Sequence, residues 1–244
     1  MEIMDWMHIQ MQSEAARTPL PLDVLVPDRS QKGPYKAVYL LHDIAGNNTS
    51  WMRQTDIEKR LSDAGAVLIM PSCLNSFYVN MYYGYDMLDY ITQELVSVCE
   101  GWLSLDARRE ARLIAGIGMG GYGAVRAALA APQVFGTAVS LDGLLDPGRF
   151  YEEKLPAVSM EDVLGPEGFY RRSPNDLLFA ARGLAHDPQT KARPEIVLVS
   201  SPQDAFRTEA AELHDELAIS GFPVCLLQDA ENGLDILTEK VRAM

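Results

Sequence analysis

Basic residues are scarce in this chain. Lys and Arg number 21 against 34 Asp and Glu over 244 residues, a formal net charge of −13. An acidic excess of that size repels phosphate backbones and anionic headgroups, so neither nucleic acid nor a membrane is an expected partner. Cysteine is scarce too. Cys73, Cys99 and Cys225 are widely spaced and fit neither a disulfide framework nor a zinc site; they read as reduced thiols buried in a core. No apolar run is long enough to span a bilayer, and Met1-Glu2-Ile3-Met4-Asp5 lacks the basic-then-apolar layout of a leader. The expectation is a cytoplasmic protein. Repeats and low-complexity linkers are missing, and 48% hydrophobic residues suffice for one core.

The most telling absence is a single side chain. Residues 112–115 read as a short buried strand and 121–131 as a helix rich in small residues. Between them lies Gly116-Ile117-Gly118-Met119-Gly120-Gly121. That is the strand–tight turn–helix frame of a nucleophile elbow, G-x-S-x-G, with Gly118 at the nucleophile's place. Glycine has nothing with which to attack a carbonyl.

What is present predicts an α/β fold. Alternation over 7–11 and 20–26 predicts an antiparallel pair. Continuous apolar runs at 37–41, 67–70, 137–141, 196–199 and 224–227 predict strands covered on both faces. Thr55-Asp56-Ile57-Glu58 reads as a capping box opening a helix that Gly65 closes. Leu88, Ile91, Leu95, Val98, Cys99 and Trp102 mark the apolar face of a helix over 85–103, and further helices are expected at 208–220 and 234–242. The result is a mostly parallel, doubly wound sheet with an N-terminal antiparallel pair, one domain over 1–244. The stretch at about 143–193, with Pro147, Pro156, Pro166, Pro174 and Pro188, breaks the alternation and reads as a cap-like excursion. In such sheets ligands bind outside the carboxyl ends of the strands. The turns at Asp43, Cys73, Gly118, Asp142, Ser201 and Asp229 are therefore expected to gather at one edge.

At the first of those turns, Leu40-Leu41-His42-Asp43-Ile44-Ala45-Gly46-Asn47 resembles the L-L-H-G-x-x-G-N segment of the esterase D branch of the α/β-hydrolases. That branch includes S-formylglutathione hydrolases and bacterial tributyrin esterases. Ser50-Trp51, Met70-Pro71, Ser76-Phe77-Tyr78, Tyr83-Gly84-Tyr85-Asp86 and residues 116–123 are similar to it in order and spacing. The resemblance implies an α/β-hydrolase fold and a Ser–Asp–His triad with a backbone oxyanion hole, and no cofactor. Carried over residue by residue, it places the nucleophile at Gly118, the acid at Asp204 and the histidine at Asn232. The oxyanion donors fall on the main-chain N–H groups of Ile44 and Met119. The glycine usual after His42 is replaced by Asp43.

Gly118 removes the nucleophile, and Asn232 removes the base, because an amide has no useful basicity near neutral pH. Either loss costs on the order of 10⁶ in kcat, and the double loss little more, since triad members act as a unit. The expectation is a catalytically impaired hydrolase homologue, its esterase activity absent or very weak, that acts by binding a small molecule or a partner, such as a second copy or an active paralogue. The alternative is a working carboxylic-ester hydrolase by a non-triad route, with water activated by Asp204 or a metal. His42 is expected to hold the oxyanion loop by hydrogen bonds. His42, Asp43, Phe77, Tyr78, Asp142 and Glu231 are candidates for lining the pocket. Asp43, Asp142, Asp204 and Glu231 all follow strands; if they converge, they form a cation site, and otherwise each caps its own turn.

Overall fold

The central strands are buried almost throughout, because their alternating side chains go to two faces and both are covered. The computed structural model describes residues 4–28, 30–155, 158–187 and 190–244. Its strands are β1 Asp5–Ser13, β2 Thr18–Val26, β3 Lys36–Leu41, β4 Ala66–Pro71, β5 Arg112–Ile117, β6 Thr137–Leu141, β7 Glu195–Val199 and β8 Val224–Leu227. They form one eight-stranded sheet in the order β1-β2-β4-β3-β5-β6-β7-β8. β2 runs antiparallel to both its neighbours, and all other pairs are parallel. On β3, Val38 and Leu40 face a layer containing Trp51, Ile57, Leu237 and Val241. Ala37, Tyr39 and Leu41 face the opposite layer with Tyr122, Val125 and Leu95. This is the α/β-hydrolase architecture, and the expected antiparallel pair opens it.

The parallel strands deliver their carboxyl ends to one edge, and the elbow helix (Met119–Ala130) starts there from β5. Close approach explains two glycines at this junction, Gly116 at the end of β5 and Gly120 in the helix. A Cβ on Gly116 would lie 2.2 Å from the Gly120 carbonyl carbon, and one on Gly120 would lie 2.4 Å from the Leu41 carbonyl oxygen. Real Cβ atoms do not come that near, so only glycine lets the helix seat on β3 and β5.

The excursion after β6 folds as short helical pieces, Phe150–Glu153, Met160–Leu164 and Glu167–Tyr170, then the longer helix Leu177–Ala185. Several hydrogen bonds clasp it to the body, among them two sets on the side of the elbow helix and the 82–83 turn. The Tyr122 hydroxyl donates to the Asn175 carbonyl at 2.6 Å. The backbone N–H groups of Tyr82 and Tyr83 donate to the carbonyls of Val163 and Asp162 at 3.0 and 2.8 Å. Met1, Pro156 and Pro188 lie outside the described residues.

Several local expectations need correction. The capping box does not form. A preceding helix, Ser50–Gln54, ends on Thr55, so Asp56 becomes the N-cap without a side-chain bond, and Thr55 Oγ1 accepts from the Ile57 N–H at 3.2 Å. The helix over 85–103 is interrupted by a π-helical stretch, Tyr90–Glu94. The wider turn shifts the face that follows, leaving Trp102 53% exposed rather than packed. Cys73 and Cys99 are buried, but Cys225 is exposed, because β8 is the edge strand.

Candidate active site

Gly118 sits between β5 and the elbow helix at φ 57° and ψ −116°. A positive φ is freely available to glycine and strained for any residue with a Cβ. The turn is pinned by the Gly118 N–H to the Leu141 carbonyl and by the Leu144 N–H to the Gly118 carbonyl, both at 3.0 Å. The space where a side chain at 118 would stand is filled by Asp43. A Cβ built on Gly118 would lie 2.1 Å from Asp43 Oδ1 and 2.6 Å from Oδ2.

The same carboxylate occupies the two backbone N–H groups that the resemblance assigns as oxyanion donors. Asp43 Oδ1 accepts from the Ile44 N–H at 2.7 Å and from the Met119 N–H at 2.8 Å. Met119 begins a helix of 12 residues, so the helix dipole adds to the two hydrogen bonds in favouring negative charge there. Oδ2 has no hydrogen-bond partner among the described residues, and Asp43 is solvent-exposed. A fixed anion thus stands where the resemblance expects a developing one.

The loop carrying Asp43 is rigidly held. His42 is buried, and its Nδ1 donates to the Asp43 carbonyl at 2.8 Å while Nε2 accepts from the Cys73 N–H at 3.0 Å. These two partners fix the neutral tautomer, and burial lowers its pKa. With both ring nitrogens committed, His42 has no free lone pair to act as a base. It holds the loop, as expected. The Tyr78 hydroxyl donates to the His42 carbonyl at 2.8 Å, and Asn75 Oδ1 accepts from the Ala45 N–H at 2.8 Å. Phe77 and Tyr78 are fully buried. They support the site from beneath and do not line its surface, which corrects their placement as pocket residues. A small cavity of about 70 Å³ lies beside Asp43, between His42, Trp51, Gln54 and Ile117. That is far below the roughly 300 Å³ at which ligand pockets begin.

The remaining positions do not reconstruct a relay. Asp204 is buried, and its Oδ1 accepts from the Phe206 N–H at 2.8 Å, capping its own turn. Asn232 is exposed and makes no side-chain hydrogen bond among the described residues. Asp142, at φ 45°, ties the ends of β6 and β7: its N–H donates to the Val199 carbonyl at 2.9 Å and its Oδ1 accepts from the Ser201 N–H at 2.6 Å. Glu231 is exposed. Among the described residues no group of three or more His, Cys, Asp or Glu is placed to hold a metal ion. The four strand-end carboxylates therefore do not form the cation site that convergence would have made; three of them bond to backbone N–H groups of their own turns, of the elbow helix or of the turn after β7. What the sequence did not reveal is where the Asp43 side chain points. The signal was available as a pair: an acid gained beside the hole and a side chain missing opposite it.

The family model described as "Putative esterase" matches residues 13–197. This chain belongs to the Esterase family. An acetyl esterase from Caldicellulosiruptor saccharolyticus is 30% identical over 115 residues, 45% of this chain and 42% of that relative. The match thus spans less than half of the curated relative. Among solved structures, the Staphylococcus aureus fluorophosphonate-binding serine hydrolase FphF, with substrate bound, superposes with a TM-score of 0.88 at 22% identity, covering 99% of this chain and 96% of that one. The S-formylglutathione hydrolase FrmB of the same organism superposes with a TM-score of 0.83 at 22% identity, covering 98% and 96%. At that identity the likeness to this Esterase-family chain is one of fold. No helix among the described residues is long and apolar enough to cross a membrane.

Proposed function

We propose that this protein is an Esterase-family homologue that does not hydrolyse esters by a triad and acts instead by binding a small molecule or a partner. One observation carries the reading. The Asp43 carboxylate takes up both backbone donors of the oxyanion hole and the volume in which a nucleophile on residue 118 would stand. Acyl transfer needs those donors free for the oxygen that becomes negative in the transition state, and losing one such donor costs roughly 10²–10³ in kcat. Here a permanent negative charge holds both, and an ester carbonyl approaching them meets repulsion rather than stabilisation. Gly118 and Asn232 lack a nucleophile and a base besides.

The experiment is direct. Purified protein is assayed with p-nitrophenyl acetate and butyrate and with S-formylglutathione, acetyl esters first because the curated relative is an acetyl esterase. It is also exposed to a fluorophosphonate probe. The expected result is turnover at the buffer rate and no covalent label. Turnover abolished by Asp204→Ala, or a label mapped to any strand-end side chain, would overturn the proposal in favour of a working hydrolase.

A further inference from the structure

On the excursion, away from Asp43, a groove of about 480 Å³ is walled by Tyr82, Val163, Leu164, Phe169, Arg172 and Asn175 among others. Its size falls within the range of small-molecule pockets. Tyr82 and Phe169 are 50% and 66% exposed, which leaves two aromatic faces open to an apolar ligand body. Its one charged wall residue is Arg172, alongside the neutral polar side chains of Asn80, Tyr82, Ser173 and Asn175. In a chain of net charge −13, no Asp or Glu lines the groove. The Arg172 guanidinium has no hydrogen-bond or ion-pair partner among the described residues, whereas the adjacent Arg171 is paired to Asp146 at 2.9 Å.

Asn175 supplies the second donor. Its Oδ1 accepts from Arg126 Nε at 3.0 Å. An arginine can only donate, so this bond fixes the amide's orientation and leaves the Nδ2 hydrogens without a partner among the described residues. Arg126 is itself buried and has no carboxylate partner among the described residues; burial lowers its pKa. A second, buried positive charge therefore stands behind the amide.

We infer that this groove is a binding site for a small monocarboxylate with an aromatic or short aliphatic body, the carboxylate meeting Arg172 and Asn175 Nδ2 and the body lying against Phe169 and Tyr82. A guanidinium and an amide N–H lining one groove offer donors to the two oxygens of a planar carboxylate. A phosphate dianion would meet the protein's negative field with twice the charge. The inference does not depend on the state of the Asp43 site.

The test is calorimetric titration of the full chain with 3-phenylpropanoate and with its neutral amide. Saturable binding at one site per chain is expected, at least about tenfold weaker for the amide, for Arg172→Gln and for Phe169→Ala. Arg172 and Phe169 are surface residues, so both variants fold, which their thermal melts check. Arg53→Gln, removing an exposed charge elsewhere, leaves the affinity unchanged. Absence of saturable binding at about 10 mM, equal affinity for acid and amide, or no loss in Arg172→Gln would each refute the site.

Discussion

Asp43 and Gly118 cannot be exchanged independently, and a double-mutant cycle measures how strongly they are bound together. In the native protein Asp43 Oδ1 accepts two backbone hydrogen bonds, at 2.7 and 2.8 Å. Hydrogen bonds to a charged group are worth about 1.5–3 kcal/mol each; the exposure of Asp43 places both at the low end, about 3 kcal/mol together. Asp43→Gly loses that amount. Gly118→Ser, whose Cβ would sit 2.1 Å from Oδ1, expels the carboxylate and loses the same bonds. It also sets a side chain at positive φ, for a further 1–2 kcal/mol or so. In the double variant the carboxylate is already gone, so the serine adds only its backbone strain. The coupling energy is then about 3 kcal/mol, well beyond the roughly 0.5 kcal/mol within which independent sites add. Urea unfolding of the four proteins at a common m value reads it. Additive losses would refute the claim that the carboxylate and a side chain at 118 compete for one volume.

Three further outcomes follow from the same geometry. In Gly118→Ser with Asn232→His the displaced Asp43 carboxylate still stands beside the two N–H groups and repels a developing oxyanion, so adding Asp43→Gly raises the rate toward p-nitrophenyl acetate at least about 10²-fold; equal rates in the two variants would show that the carboxylate is no obstacle. One thiol per chain, Cys225, reacts quickly with Ellman's reagent in the native protein and all three react in denaturant. Burial pushes Cys99 up to about 12 and Cys73 higher still, so two or more fast native thiols would contradict the buried placement. His42 is kept neutral by burial, so its folded pKa lies below the ordinary value of about 6.5. The unfolded chain then takes up a proton that the folded chain refuses. Stability is full above about pH 6.5 and is lost as the pH falls below it, and the loss is steeper in the native protein than in His42→Gln. Parallel urea midpoints for the two between about pH 7.5 and 5.5 would disprove it.

The fold was legible because burial on both faces writes continuous apolar runs, and β3, β4, β6 and β8 fall within a residue or so of those runs. Local chemistry was harder to read. Thr55 lost its capping role to a helix of only five residues, Ser50–Gln54, too short to leave a periodic pattern. The π-helical stretch at Tyr90–Glu94 has no sequence signature and moved Trp102 to the surface. In the site, His42 kept the loop-holding role expected of it, because its partners are backbone groups fixed by the neighbouring turns. Asp43 and Gly118 could each be recognised as departures, yet that the carboxylate of one fills the space left by the other depends on how closely the two turns approach, and no local sequence pattern encodes that distance.

The glycine at the elbow also gives the site a direction in time. In any lineage in which residue 118 once carried a side chain, an aspartate at 43 had no room to fold into the donors until that side chain was gone. Once the acid is seated, restoring a serine alone meets a steric barrier, so a single reversion fails where the forward steps could be taken one by one. The pair works as a ratchet: a side chain fits at 118 without clash only where position 43 has changed as well.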